Sequence, residues 1–295
     1  PSLIACKTII GFGSPSKAGT SSAHGAPLGQ EDIEKMKEKL NWKSEPFEVP
    51  TNIKDAWRLV GLKNTCKRKN WEEKVSNLDD KKKIKFLHAI NGDISENLDK
   101  EIDELKKKFS LENPKLATRQ SSQQVLEIIN PIIEEMIGGS ADLTPSNNTK
   151  TKTLNPISKN NFKGRFIHYG IREHAMAAAM NGMALHKGLI PYSGTFLIFS
   201  DYCRPSIRLA ALMSIKVIHV MTHDSIGVGE DGPTHQPIEQ IPSLRTIPNL
   251  NVFRPGDATE VAECWSIAIK SKNPSVIALS RQGCEHFRTT FEKSN

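Results

Sequence analysis

Five short stretches of the sequence concentrate side chains that can bind anions, move protons or hold hydroxyl groups. Ser140 to Ser146 contributes Asp142 and Ser146. Gly170 to His174 contributes Arg172, Glu173 and His174. Gly194 to Phe196 is followed by Phe199 and Tyr202. Thr222 to His235 contributes His223, Asp224, Glu230, Asp231 and His235, and Ser280 to Gln282 contributes Arg281. Together they have the chemistry of a polar binding site. Taken singly, each has a plainer explanation. A carboxylate such as Glu173 suits the first turn of a helix. Asp142 and Ser146 suit a turn and a helix cap. Phe196, Phe199 and Tyr202, at i, i+3 and i+6, suit a core stripe. His223 and His235 lack a third ligand at the usual spacing, which discounts zinc. Gly227-Val228-Gly229 and Gly11-Phe12-Gly13 are incomplete as dinucleotide fingerprints, and no phosphate-loop motif occurs.

These stretches are placed by the elements before them. Met136–Gly139, Phe166–Tyr169, Leu189–Tyr192, Val217–Met221, Asn251–Phe253 and Val276–Leu279 read as short apolar strands. Helical patterns lie between them, at Gln123–Glu135 (broken near Pro131), Arg172–Leu185, Leu197–Met213 and Ala258–Lys270. Alternating short strands and helices predict an α/β fold, a doubly wound and mainly parallel sheet. Right-handed crossovers then put every strand-to-helix loop on one edge, where such sheets bind ligands. The polar stretches fall just after five of the predicted strands, so the sequence places them on one edge.

Three textures divide the 295 residues. Residues 1–30 are rich in Gly, Ser and Pro after the apolar run Thr8 to Gly11, and the chain reads as starting almost inside a strand. Residues 31–115 form a charged helical region, with Trp42, Trp57 and Trp71 as packing anchors. Residues 116–295 form the α/β domain. The net charge of +7 comes from lysines interleaved with Asp and Glu, the pattern of solvated helix faces rather than of a nucleic-acid interface. Five cysteines without a C-x-x-C pair argue against a disulfide framework or a thiolate zinc site, and for a reducing cytoplasm. No apolar run approaches the ~18 residues of a membrane span.

The segments Gly138 to Ser146 (GGSADLTPS), Gly170 to Met176 (GIREHAM), Gly194 to Phe196 (GTF), Thr222 to Pro237 (THDSIGVGEDGPTHQP) and Leu279 to Gln282 (LSRQ) closely resemble transketolase. Gly11 to Ser14 (GFGS) and Ala23 to Leu28 (AHGAPL) do so as well. The resemblance spans nearly the whole chain and is weakest in the lysine-rich middle. It implies thiamine diphosphate as cofactor and transfer of a two-carbon ketol unit between sugar phosphates of the xylulose 5-phosphate and ribose 5-phosphate class. It places the enzyme in the cytoplasmic pentose phosphate pathway and the Calvin cycle, as a homodimer with its site at the subunit interface. Glu173 matches the glutamate that hydrogen-bonds N1′ of the cofactor aminopyrimidine. Phe196, Phe199 and Tyr202 match the apolar cage around that ring, and Asp142 a cofactor-side acid near the subunit boundary. Arg119, His223 and Arg281 match the sugar-phosphate clamp, with Ser146 contributing a hydroxyl. Asp231 matches the acid that recognises the donor C2 hydroxyl. His24 and His235 match histidines near the reacting carbons.

The resemblance also implies what this chain lacks. Family subunits are longer and bind the diphosphate through Mg²⁺ or Ca²⁺ with a Gly-Asp-Gly…Asn motif, which does not occur here. No metal ligand is therefore assigned in this chain. Residues 1–30 are expected to be the end of the diphosphate-binding domain, 31–115 a linker, and 116–295 the pyrimidine-binding domain. Such a piece is expected to be inactive alone. Dihydroxyacetone synthase shares most of the motifs and is the alternative activity; a relative without catalysis would show erosion at Glu173, His223, Asp231, His235 or Arg281, and none is eroded.

Overall fold

A computed structural model describes residues 3–288, 290 and 291, in two compact units, Pro1–Leu78 and Asp79–Asn295. In the first unit the apolar run Thr8 to Gly11 forms no strand, although the sequence reads as starting almost inside one. It enters a tight turn, with Phe12 N–H donating to Ile9 O at 3.2 Å and Gly11 at φ +64°, so its carbonyls serve the turn and not a ladder. Two helices follow, α1 (Gln30–Lys39) and α2 (Thr51–Ser76), neither of which contains a buried residue. Trp57 and Trp71 on α2 are 74% and 56% exposed, and Trp42 is at the margin of exposure. Trp57 and Trp71 on α2, and Trp42 between α1 and α2, are therefore not buried in a core, and α2 buries none of its residues.

The second unit opens with α3 (Asp80–Asn91), capped by the Asp79 carboxylate on Lys82 N–H, and α4 (Asn97–Glu112). The remainder alternates as expected, through α5 (Thr118–Ile132), β1 (Met136–Ser140), α6 (Thr144–Asn147), β2 (Phe166–His168), α7 (Glu173–His186) and β3 (Ile190–Phe196). A 3-10 turn at Leu197–Phe199 leads into α8 (Ser200–Leu212). After it come β4 (Ile218–Thr222), α9 (Gln240–Arg245), β5 (Asn251–Phe253), α10 (Ala258–Lys270) and β6 (Ser275–Leu279). All six strands pair in parallel in the order β2-β1-β3-β4-β6-β5. The chain moves outward from β1 to β2 and then returns to β3 on the other side of β1. The β1/β3 boundary is thus the switch point at which an open parallel sheet forms its ligand crevice.

Helices cover both faces. On one face α4, α5 and α10 pack through Leu98, Phe109, Val125 and Trp265 against Tyr192 and Val220 of the sheet. On the other, α7, α8 and α9 pack through Ala177, Ile207 and Leu244 against Met221 and Val276. Trp265 is fully buried, meets the Tyr192 ring edge-on at 5.7 Å and donates from Nε1 to Ser122 Oγ at 2.9 Å. Trp265→Ala is expected to destabilise the unit by about 3–5 kcal/mol, read as a fall in the urea midpoint at unchanged slope.

β3 runs farther than its apolar start suggests, and Gly194-Thr195-Phe196 lies inside the strand rather than after it. A Cβ on Gly194 would stand 2.8 Å from Thr149 Cγ2 and 2.9 Å from Asn147 Cβ. The glycine is there because α6 presses onto the strand, not because the strand ends.

Candidate active site

The carboxyl edge of the sheet gathers most of the residues singled out above. Phe196 ends β3, and His223 follows β4 with its backbone in the left-handed region at φ +60°. The two rings stack with centroids 3.7 Å apart. Phe196 also stacks on Phe199 at 5.6 Å, and Phe199 lies 5.7 Å from Tyr202. His235, brought back by the Gly-rich loop after β4, meets Phe199 edge-on at 5.2 Å and Phe196 at 5.8 Å. The aromatic residues at i, i+3 and i+6 therefore do not form a simple core stripe. Phe196 is buried, while Tyr202 is 63% exposed, so the stripe runs from the interior out to an accessible rim.

Cations flank these rings. Thr118 begins α5 and Ser280 follows β6; Thr118 N–H donates to Ser280 Oγ at 3.0 Å and Ser280 N–H to Thr118 Oγ1 at 2.7 Å. That double bond sets the next residue on each side, Arg119 and Arg281, beside the other. Burial, and then the nearby Arg281 charge, hold the Arg119 guanidinium below its ordinary range. Arg119 donates from Nη1 to Ser146 O at 2.7 Å, but its buried Nε has no hydrogen-bond partner among the described residues. Ser146 thus enters through its carbonyl rather than through the hydroxyl expected of it. Arg281 reaches Glu230 at 3.2 Å and Asp231 at 4.0 Å, both at the exposed rim. Two adjacent guanidiniums, one with an unused buried donor, are suited to bind an anion.

His223 is only 3% exposed. Burial foremost, and then the Arg119 charge, lower its pKa to about 4, with Asp231 opposing and Arg281 and His235 adding to the fall. It is therefore neutral at pH 7 and acts as a hydrogen-bonding group. A relay fixes which nitrogen carries the proton. Ser140 Oγ donates to Asn147 Oδ1 at 2.9 Å, and Asn147 Nδ2 donates to Thr222 Oγ1 at 2.7 Å. Asn147 Nδ2 is a donor only, and Thr222 Oγ1 has no other acceptor among the described residues, so its hydroxyl proton goes to His223 Nδ1, 3.0 Å away. Nδ1 accepts, and Nε2 keeps the proton.

Sequence reasoning missed this relay. Asn147 sits in a short polar run that reads as a turn, and nothing in its spacing points across the sheet to Thr222. His219 of β4 is another buried neutral imidazole, its pKa lowered to about 4 by burial, with neither ring nitrogen partnered among the described residues. Both histidines bind protons more weakly in the folded chain than in the unfolded one. Their contribution to stability is therefore complete above the ordinary value of 6.5 and is lost as pH falls from there toward about 4. The urea midpoint is expected to drop between pH 7 and pH 5, and to drop less in His219→Met.

Glu173 opens α7 and is 8% exposed. Its carboxylate has no hydrogen bond or ion pair among the described residues. Its position is marked by Cys203 of α8. That thiol is raised to about 12, mainly by burial and then by the Glu173 charge, and it contacts Phe199 O at 3.8 Å. Glu173 therefore lies against the same first turn of α8 that supports the aromatic rings. The structure leaves two candidates outside this group. Asp142 lies past β1, exposed and at φ +60°, and has no hydrogen bond or ion pair with the cluster among the described residues. His24 belongs to the first unit, where it is exposed and follows a 3-10 turn.

An open parallel sheet with aromatic rings and a cationic flank at the carboxyl ends of β3, β4 and β6 defines an α/β ligand-binding domain. Residues 114–285 match the family described as transketolase, pyrimidine binding domain, and residues 1–95 match transketolase, thiamine diphosphate binding domain. The chain belongs to the transketolase family. It is 52% identical over 300 aligned positions to a transketolase of Sinorhizobium medicae, covering 100% of this chain and 42% of that protein. It is 48% identical to one of Rhodobacter capsulatus, covering 100% and 44%. The chain thus spans less than half the length of these relatives. Transketolase from Leishmania mexicana superposes with a TM-score of 0.85 at 40% identity, over 96% of this chain and 42% of that one. Transketolase from Pichia stipitis in complex with sedoheptulose 7-phosphate gives 0.86 at 38%, over 96% and 43%.

Proposed function

We propose that this chain is the part of a transketolase subunit that holds the aminopyrimidine of thiamine diphosphate and the phosphate of the sugar. The reaction is transfer of a two-carbon ketol unit from a ketose phosphate to an aldose phosphate. The observation that carries this reading is the 3.7 Å stack of Phe196 on His223, which joins the aromatic pocket and the anion clamp in one place. The residues fit the cofactor. The half-buried Phe199 ring and the exposed Tyr202 ring offer faces for a flat heterocycle, and Glu173 is a buried carboxylate without a hydrogen bond or ion pair among the described residues. When bound, thiamine diphosphate supplies a nucleophilic carbon that carries the two-carbon unit.

The chain's own residues do the rest. Glu173 holds a proton against the ring nitrogen N1′, while Phe196, Phe199 and Tyr202 fix the plane of the ring. Arg119 and Arg281 grip the phosphate, and neutral His223 donates to it from Nε2. Asp231 accepts a sugar hydroxyl, and His235, at the edge of the rings, steadies hydroxyls near the reacting carbons. Ser146 supports Arg119. His24 and Asp142 keep the roles the resemblance gave them, as groups at the reacting carbons and at the cofactor side. The divisions at residues 30 and 115, a homodimeric assembly, a divalent metal held by other parts of the subunit, and work in cytoplasmic pentose phosphate or Calvin cycle metabolism belong to the same reading. No described helix is long and apolar enough to cross a membrane.

A coupled assay with xylulose 5-phosphate and ribose 5-phosphate, on a subunit of the relatives' full length containing this chain, tests the activity. Calorimetry with thiamine diphosphate and Mg²⁺ should show no micromolar binding to this chain alone. Micromolar binding would overturn the division of the cofactor site between this segment and others.

A further inference from the structure

A second cavity, of about 430 Å³, opens at the amino edge of the sheet, the edge opposite to the site described above. Its floor is the residues that enter β1, β3 and β4, and its wall is the end of α3 with the turn that follows it. Lys187, Lys216, Lys270 and Lys272 line it, together with Asp93 and Glu135. Lys270 is engaged by Asp99 of α4. Lys187, Lys216 and Lys272 have no ion pair among the described residues.

The three differ in setting. Lys216 is half-buried, between α8 and β4, and Lys272 stands close to it from the turn between α10 and β6. Burial, and then the Lys272 charge, hold the Lys216 ammonium below the usual lysine range. Neither Asp93 nor Glu135 offsets that repulsion. Lys187 joins them from the turn after α7, with its backbone at φ +68°. The wall is tied down, since Lys85 of α3 pairs with Glu134 beside the start of β1, and Ile90 faces Gly188. Like charges gathered in a pocket repel, and an anion placed between them reverses the sign of the interaction.

We propose that this cavity is a second anion site, in which Lys216 and Lys272, with Lys187 at the rim, hold the phosphate group of a small phosphorylated molecule. Lysine binds phosphate as a point charge, without the paired geometry of arginine, which suits a group shared by several flexible ammoniums. The volume accommodates a phosphorylated sugar or free phosphate. The site stands apart from the carboxyl edge, so it does not depend on the activity proposed above.

Lysine footprinting reads the site directly. The chain is acetylated at pH 8 with and without inorganic phosphate, or a sugar phosphate, at about 10 mM, a concentration that would fill a millimolar site. Sodium chloride at matched ionic strength is the reference. Acetylation of Lys216 and Lys272 is expected to fall about fivefold or more under phosphate, with surface lysines of α2 unchanged. Equal protection by the two probes supports a bare phosphate site, and stronger protection by the sugar phosphate supports a metabolite site. Arg281→Gln should keep this protection, which separates it from the clamp. Lys216→Met, if it unfolds at the wild-type urea midpoint, should lose the protection of Lys272. No protection by either probe, or equal protection by chloride, would overturn the proposal.

Discussion

Glu173→Gln, in a subunit of the relatives' full length containing this chain, is expected to lower turnover by about 10²–10⁴-fold while the KM for sugar phosphate changes less than about threefold. Glutamine keeps the shape of the side chain and can still donate a hydrogen bond, so helix α7 and its packing persist. What it cannot do is share a proton with a ring nitrogen. The clamp of Arg119, at the start of α5, and of His223 and Arg281, after β4 and β6, lies on other elements, and no described hydrogen bond or ion pair links it to Glu173, so substrate affinity is insulated. A hundredfold loss corresponds to about 2.7 kcal/mol, the size expected for one proton-transfer contact. The fold is the control, and an unchanged urea midpoint is expected because Glu173 makes no hydrogen bond or ion pair among the described residues. Unaltered turnover would remove Glu173 from the chemistry. A KM that rises in step with the loss would instead assign it to substrate binding.

The sheet was legible because its strands are buried on both faces and hence nearly uninterrupted in apolar residues. Ile218–Thr222 and Ser275–Leu279 are of this kind, and each lies within one residue of the predicted span. Helix α10 was read to its observed ends, since Asp257 caps its start on Glu260 N–H. The failures share a physical cause, in that tertiary contacts overrode local signals. Gly194 reads as a strand stop until α6 is seen lying on it. α5 begins at Thr118 rather than near Gln123, because the Thr118–Ser280 pair, 162 residues apart in sequence, caps it from across the sheet. The apolar run at Thr8 to Gly11 carries β-forming residues but has no neighbouring strand to pair with among the described residues of its unit. For the site, residue types located the candidates, and ring contacts and electrostatics then joined Phe196, Phe199, Tyr202, His223, His235, Asp231, Arg119 and Arg281. Which groups orient them was not legible, since Ser140, Asn147 and Thr222 act through hydrogen bonds that no sequence period encodes.

Asn147→Asp gives that relay its sharpest test, because it alters proton direction with almost no change in volume. In the wild type the Asn147 amide donates to Thr222 Oγ1, which frees the Thr222 proton for His223 Nδ1. A carboxylate at this place has no proton to give. It accepts from Ser140 as before and accepts from Thr222 as well, so Thr222 turns a lone pair toward His223. Nδ1 must then carry the proton. Either the neutral ring changes tautomer and presents a bare Nε2 to the phosphate, or it takes up a second proton. Burial beside Arg119 and Arg281 opposes the second course, while the new carboxylate favours it. In both cases the midpoint of the His223 titration, followed by NMR, is expected to rise above about 4, and Nδ1 to become protonated at neutral pH. With the tautomer changed, the KM for sugar phosphate should rise about tenfold, the loss of one charge-assisted hydrogen bond, while kcat at saturation stays within about threefold. The buried carboxylate is also expected to destabilise the fold by about 1–3 kcal/mol, a change that Asn147→Ala would share. The tautomer shift is the part that Asn147→Ala does not reproduce. With the amide removed, the Thr222 hydroxyl still donates to His223, and Nε2 keeps its proton. A ring in Asn147→Asp that keeps its proton on Nε2 alone would show that Asn147 supports the fold without setting the proton on His223.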